Sequence, residues 1–215
     1  MAGTPGLCYA NELAHVEVAA EPADLHLAPT VVLAYCDISL ACVCVAKALT
    51  MPGCKVEVGV LKVTSTNQGE ALPDRPLVHT PDDGAESMAP GHFTIKTYSG
   101  TDGAPLLSVV HVDTPLPASI CRPLTRTLTN LILARSPTFS KLVVPCCLHV
   151  LPTPLHPSLK DQTVYTHAVN SPPPPMPPPG TTPLPDALQL TDPMLCALLP
   201  TVQLHGIPTL LLCVS

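Results

Sequence analysis

Short apolar runs separated by turn-forming residues alternate with amphipathic stretches along most of this chain. The run at residues 29–36, PTVVLAYC, is continuously apolar and begins at a proline, which is typical of a strand buried on both faces. Residues 37–50, DISLACVCVAKALT, offer Asp37 as an N-cap and end before Pro52-Gly53, so they predict a helix. Together the two segments predict a strand-turn-helix unit.

The next segments carry strand patterns. Residues 54–64, CKVEVGVLKVT, alternate at period two and predict a half-exposed strand. Residues 92–99 and 105–113 flank a Gly-Thr-Asp-Gly turn and predict a hairpin. Nearer the N-terminus, the alternation in AHVEVAA at residues 14–20 permits an edge strand.

One amphipathic helix is predicted between residues 115 and 135. Its apolar stripe recurs at helical spacing, and Pro123 is expected to begin the helix at its first turn. The stripe consists of Leu124, Leu128, Leu131 and Ile132. Residues 141–151, KLVVPCCLHVL, then predict another buried strand, in which Pro145 requires a bulge or an edge position.

The last unit again combines a helix with a strand. Asp192 is a candidate cap, Pro193 suits the first helical position, and the helix is expected to run to Leu204 with a kink at Pro200. Gly206 ends it. Residues 207–214 are continuously apolar and predict a strand inside the sheet.

The alternation of strands and helices predicts an α/β fold, a three-layer domain with a mainly parallel central sheet flanked by helices. Residues 1–28 form an N-terminal segment and residues 29–215 a single domain in this interpretation. Proline-rich loop insertions are expected at 65–91 and 152–185. The apolar segments 31–36, 142–150 and 207–214 are expected to lie side by side as interior strands.

The amino-acid composition and charge limit the classes of function that this protein can have. Apolar residues make up 46% of the chain, charged residues only 12%, and there is no Trp, which favours a protein that covers part of its surface with a partner. A net charge of -6 without a basic cluster argues against the electrostatic footprint of nucleic-acid binding, and no DNA or RNA partner is expected. Residues 31–49 have the length of a membrane span, but the central Asp37 argues against insertion. No secretory signal opens the sequence, so a cytoplasmic address, with the nucleus as a second one, is expected.

Ten cysteines lie mostly within apolar runs, which indicates reduced, buried thiols, with redox sensing left as an alternative. Two motifs could suggest a metal site, Cys42-x-Cys44 and Cys146-Cys147-x-His149. Neighbours two apart on a helix do not face each other, and consecutive strand residues point to opposite faces. No metal site is therefore predicted.

Asp37 and Asp113 each follow a predicted strand at its carboxyl end, where open α/β sheets bind ligands, and His111 lies two residues before Asp113. These residues could perform acid–base chemistry in a small α/β hydrolase- or phosphorylase-like enzyme. The alternative roles are a helix cap for Asp37 and a turn for Asp113. Sequence signatures of nucleophile elbows, dinucleotide sites, phosphate loops and zinc proteases are absent, so no catalytic residue and no cofactor is predicted.

A scaffold that recruits partners through the proline run at 172–179 is a third hypothesis.

Several blocks in order resemble the proteasome assembly chaperone 1 family. They are TVVLAYCDISLACVCVAKAL, then LVVPCCLHV, a proline-rich insertion, and LPTVQLHGIPTLLLCVS, spanning roughly residues 29–215. The resemblance implies a non-catalytic protein that pairs with a second, similarly folded assembly chaperone. It further implies that the heterodimer caps the forming α-subunit ring of the 20S proteasome and prevents wrong association.

The resemblance departs from the family at its end. Several family members carry a hydrophobic-Tyr-x tail that inserts between α subunits, whereas this sequence ends at Cys213-Val214-Ser215. Either this chain docks without such a tail or the sequence is shortened, and no interface residue is predicted.

Overall fold

The computed structural model describes residues 16–37, 41–65, 92–147, 164–172, 180–184 and 191–214. Within these ranges the chain forms nine strands and three helices. In chain order they are β1 (Val16–Glu21), β2 (Thr30–Tyr35), α1 (Ala41–Ala48), β3 (Lys55–Ser65), β4 (His92–Ser99), β5 (Pro105–Val112), α2 (Ala118–Arg135), β6 (Lys141–Cys147), β7 (Val164–Val169), β8 (Thr181–Pro183), α3 (Pro193–Leu204) and β9 (Thr209–Val214).

All nine strands join one sheet in the order β1-β3-β4-β5-β2-β6-β9-β7-β8. Its centre, β5-β2-β6-β9, is parallel. The pairs β1-β3, β3-β4, β4-β5 and β7-β9 are antiparallel. The sheet is therefore mixed, and the prediction of a three-layer domain with a mainly parallel sheet is confirmed only as a mixed α/β fold.

The two faces of the sheet are covered unequally. Helices α2 and α3 pack on one face and bury the larger core, which includes Leu33 of β2 and Leu124 of α2. Helix α1 lies on the other face, where Ala46 packs with Ala34 and Val109. An eight-residue helix covers less of a sheet than the two longer helices do.

The adjacency predicted for three apolar segments is confirmed for the described part of each, and residues 148–150 of the second segment lie outside the described residues. Strand β6 lies between β2 and β9 in the interior of the sheet. The predicted hairpin is the antiparallel pair β4-β5, and β1 occupies one edge, as the alternation in its sequence permits. Gly206 follows α3 with a φ of 64°, a conformation that glycine adopts readily.

Pro145 occupies neither the edge nor the bulge that the sequence predicts. Its strand is interior and keeps an unbroken register with β9. The Leu142 N–H donates to Pro208 on the β9 side, while the Cys147 N–H points to the β2 side, where Asp37 accepts it. Alternation places the Pro145 nitrogen on the β2 side, and pairing with β2 has already ended at Val143. The proline therefore costs no ladder hydrogen bond.

Two further predictions are corrected. The segment 152–185 is not wholly an insertion outside the sheet, because β7 and β8 pair within it. Pro123 does not begin its helix, since α2 starts five residues earlier at Ala118. Burial of Ile120 and Cys121 in the core favours this extra turn despite the hydrogen bond that the proline removes. The predicted loop at 65–91 lies, beyond Ser65, outside the described residues.

The apolar stretch at residues 31–49 is divided between β2 and α1. Among the residues with described structure, no helix has the length and apolarity that crossing a bilayer requires.

Candidate functional site at the carboxyl ends of the parallel strands

The sequence-predicted site residues lie around the carboxyl ends of β2 and β5, which are neighbours in the sheet. After β2 the chain enters α1 on one face, and after β5 it enters α2 on the opposite face. Such a divergence is the switch point at which open α/β sheets bind ligands. It is therefore the place to look for a functional site.

Asp113 is buried at the end of β5 and forms an ion pair with Lys47 of α1. The Lys47 Nζ lies 3.1 Å from Oδ2 of Asp113, and the two side chains are only 9% and 3% exposed. This contact is more than the turn role predicted for Asp113, because it fixes α1 to the sheet.

Asp37 also forms a hydrogen bond that joins two elements of the fold. Its Oδ2 accepts the backbone N–H of Cys147, at the point where β6 has separated from β2. Beyond the end of the β2–β6 pairing, the Asp37 carboxylate takes the place of the strand carbonyl that would otherwise accept this N–H. Its predicted role as a helix cap concerns residues 38–40, which lie outside the described residues.

His111 is fully buried within β5, in register with Ala34 of β2 and Thr94 of β4. In this position it is closed off from solvent and from any substrate. The structure thus places His111, Asp37 and Asp113 in one region, with the carboxylates engaged in contacts between elements.

A small cavity opens beside this region. Its volume is about 40 Å³, room for a few waters but far below the several hundred Å³ of a typical small-molecule site. Its lining includes Tyr35, Thr114, Cys121, Asp192 and Met194. The Tyr35 hydroxyl donates to Oδ1 of Asp192 at 3.1 Å, and burial, with the nearby Asp192 carboxylate, raises the pKa of this tyrosine above its usual range.

The thiols in this region are poor nucleophiles. Burial, with a contribution from Asp113, raises the pKa of Cys36 to about 12. Burial and the Asp37 carboxylate raise the pKa of Cys42 to about 12. Since the thiolate is the reactive form, little of either cysteine is nucleophilic at neutral pH.

The cysteine pairs considered as metal ligands do not converge. Cys42 is buried and Cys44 exposed on the same helix, while Cys146 is buried and Cys147 half-buried on β6. His149 lies outside the described residues. Across the ranges given above, no three His, Cys, Asp or Glu side chains are grouped as they would be around a metal ion.

Sequence reasoning missed Lys47 and Tyr35. A lone cation within the apolar run LACVCVAKAL is a signal that could have indicated Lys47, because a helix that buries a charge must also bury its partner. Tyr35 had no comparable signal, since its partner Asp192 is 157 residues away.

No family model and no curated protein matches the sequence. Solved structures do share its fold. Pyrococcus furiosus PbaB, an archaeal proteasome activator, aligns with a TM-score of 0.58 at 11% identity, covering 93% of this chain and 79% of PbaB. PbaA of the same organism, an archaeal homolog of proteasome-assembly chaperone, aligns with a TM-score of 0.55 at 14% identity, covering 91% and 75%.

A protein of unknown function from Thermoplasma acidophilum aligns with a TM-score of 0.52 at 16% identity, covering 87% of this chain and 67% of that protein. At these identities the comparisons establish the fold. The resemblance to the proteasome assembly chaperone family is supported at that level.

Proposed function

We propose that this protein is a non-catalytic chaperone that promotes assembly of the α-subunit ring of the 20S proteasome, acting as a heterodimer with a second assembly chaperone. The observation that carries the proposal is the fold shared with PbaB and PbaA over 93% and 91% of this chain. The collinear sequence blocks at residues 29–215 support it independently of the fold.

The region at the strand ends is consistent with a protein that acts by binding. The carboxylates of Asp37 and Asp113 connect elements of the fold, and the adjoining cavity has room only for a few waters. In this proposal the residues serve the rigidity of the domain.

Exposed apolar side chains favour a protein partner over a small ligand. Val45 of α1 is 71% exposed, and Val56 and Val58 of β3 are 50% and 58% exposed. Unpaired subunits of a forming ring expose similar surface and associate wrongly until it is covered. In this proposal the chaperone acts in the cytoplasm, with the nucleus as a second location.

Affinity purification of the tagged full chain at its native expression level tests the proposal. We expect proteasome α subunits together with one further protein of chaperone size. Recovery of neither from cells that assemble proteasomes would contradict the proposal.

Deletion of the proline run distinguishes this function from recruitment of partners through that run. Removing residues 172–179 should leave the capture of α subunits unchanged if the folded domain binds them. A scaffold acting through polyproline recognition would lose its partners on the same deletion. Thermal unfolding of both proteins shows whether any loss comes from misfolding.

A further inference from the structure

Two cysteine thiols face each other across neighbouring interior strands. Cys146 of β6 and Cys213 of β9 are register partners in a parallel pair. Their sulfur atoms are 3.4 Å apart, and the residues are 0% and 1% exposed. The two side chains are thus held together in the core by the backbone pairing around them.

This placement suits a disulfide. Neighbouring strands lie about 4.8 Å apart, within the range of about 4.4–6.8 Å that a disulfide spans between Cα atoms. The sulfur atoms would have to approach from 3.4 Å to a bonding distance of about 2.05 Å. Small side-chain rotations can supply this change without a shift in register.

Access is restricted but not closed. The hydrogen bond with Cys213, together with burial, raises the pKa of Cys146, so reaction from the folded state is slow. Each thiol lies one residue before the end of its strand, since β6 ends at Cys147 and β9 at Val214. Both thiols become accessible while the chain folds, or when the strand ends open locally.

We propose that Cys146 and Cys213 form a reversible disulfide when the protein meets a small disulfide oxidant such as glutathione disulfide. One cysteine thiolate attacks a glutathione sulfur and releases one glutathione thiolate. The second cysteine thiolate then attacks the cysteine sulfur of the mixed disulfide and releases the other. Two electrons pass to glutathione disulfide, and the two thiol protons pass to the glutathione thiolates.

The bond would connect two central strands and restrict the unfolded chain. Its ends are 67 residues apart, and the closed loop contains β7, β8 and α3. Cross-linking a loop of this length removes conformational freedom mainly from the unfolded state. We expect the midpoint of thermal unfolding to rise by on the order of 10 °C on oxidation.

In the test, the full chain is incubated with excess glutathione disulfide under two conditions, as the folded protein and during refolding from denaturant. The second condition gives the oxidant access to the two thiols before they are buried. Free thiols are then blocked with N-ethylmaleimide and the protein is digested with trypsin without reductant. Cleavage after Lys141 and Lys160 places Cys146 in peptide 142–160 and Cys213 in peptide 161–215. We expect these two peptides to be joined, and reduction to separate them.

Matched variants assign the bond, because the same peptides contain Cys147 and Cys196. The joined peptide should persist in Cys147→Ala and Cys196→Ala and disappear in Cys146→Ala and Cys213→Ala. Fragment ions from the wild-type peptide assign the sulfurs directly if a variant fails to fold. Absence of the joined peptide under both conditions, or fragment ions that assign other cysteines, would overturn the proposal.

Discussion

Lys47 and Asp113 bind each other where helix α1 approaches the end of strand β5, and neither side chain is more than 9% exposed. Removing two charges from water costs several kcal/mol for each ion, and their attraction offsets this cost only while both are present. Both residues are therefore needed for α1 to be buried against the sheet.

Replacing Lys47 by Ala should lower the free energy of unfolding by about 3–5 kcal/mol, because the Asp113 carboxylate remains buried without its cation. Urea denaturation at neutral pH, followed by circular dichroism, measures this loss. The double variant Lys47→Met with Asp113→Leu should recover most of it, since an apolar pair avoids the cost of burying charge.

An exposed ion pair of the same chain provides the control. Lys62 and Glu21 lie 2.6 Å apart, but their side chains are 44% and 55% exposed. Lys62→Ala should lower the free energy of unfolding by less than about 1 kcal/mol. Equal losses for Lys47→Ala and Lys62→Ala would show that burial does not decide the strength of the first pair.

The sequence indicated where Asp37 and Asp113 lie but not what they bind. Both follow strands at their carboxyl ends, as the apolar runs before them predict. The partners, Lys47 and the N–H of Cys147, come from elements distant in sequence. Such contacts depend on how α1 and β6 pack on the sheet, which local patterns do not determine.

At the scale of elements, Asp192 joins helix α3 to the central sheet. Its Oδ1 accepts the N–H of Leu195 at 2.7 Å and the hydroxyl of Tyr35 at 3.1 Å. One carboxylate oxygen thus caps the helix and satisfies a buried tyrosine at the end of β2.

Asp192→Ala should lower the free energy of unfolding by about 2–4 kcal/mol, because it removes a helix cap and leaves the Tyr35 hydroxyl without an acceptor. Tyr35→Phe should cost about 1 kcal/mol, since the cap remains. Asp192→Asn, which keeps a capping oxygen, should fall between the two. Chemical denaturation of the three variants measures the order, and a larger loss for Tyr35→Phe than for Asp192→Ala would contradict this account.

The elements that sequence patterns identified correctly have long apolar runs or clear turn residues. The β4-β5 hairpin and the cap of α3 are examples, since their signals are local. Strands β7 and β8 were missed because prolines surround VYTHAV and TTP and hide their strand character. Their pairing depends on β9, the strand beside which β7 lies.

Pro145 shows a different limit of sequence reasoning. A proline within a strand argues for an edge only if its nitrogen faces a paired neighbour. In β6 the β2 ladder ends at Val143, two residues before the proline, and this staggered ending is a property of the assembled sheet.

At the scale of the whole molecule, sequence order and sheet order agree in the central strands. The blocks that resemble the chaperone family include β2, β6 and β9, which are consecutive in the sheet. The family resemblance thus concerns the part of the chain that forms the parallel centre. The mainly parallel sheet was predicted from the alternation of strands and helices along the chain, and that alternation does not show that β3 pairs antiparallel with both β1 and β4.

The buried thiols predict how the free energy of unfolding changes at alkaline pH. Burial is the leading cause that raises the pKa of Cys36 and Cys42 to about 12 and of Cys121 to about 11, from a usual value of 9.0. In the unfolded chain these thiols lose their protons from about pH 9, while the folded protein keeps them. The unfolded state then binds fewer protons, so the free energy of unfolding falls as the pH rises through this window.

Urea denaturation between neutral pH and about pH 10.5, with a reductant present, measures this fall as a decrease in the midpoint. Stability from the protonated thiols is fully present below about pH 9 and decreases above it. Cys42→Ala should make the decrease shallower, because one buried proton-binding group is gone, whereas Cys196→Ala changes an exposed residue and should leave it unaltered. Equal pH dependence in both variants would mean that Cys42 does not contribute to the alkaline loss of stability.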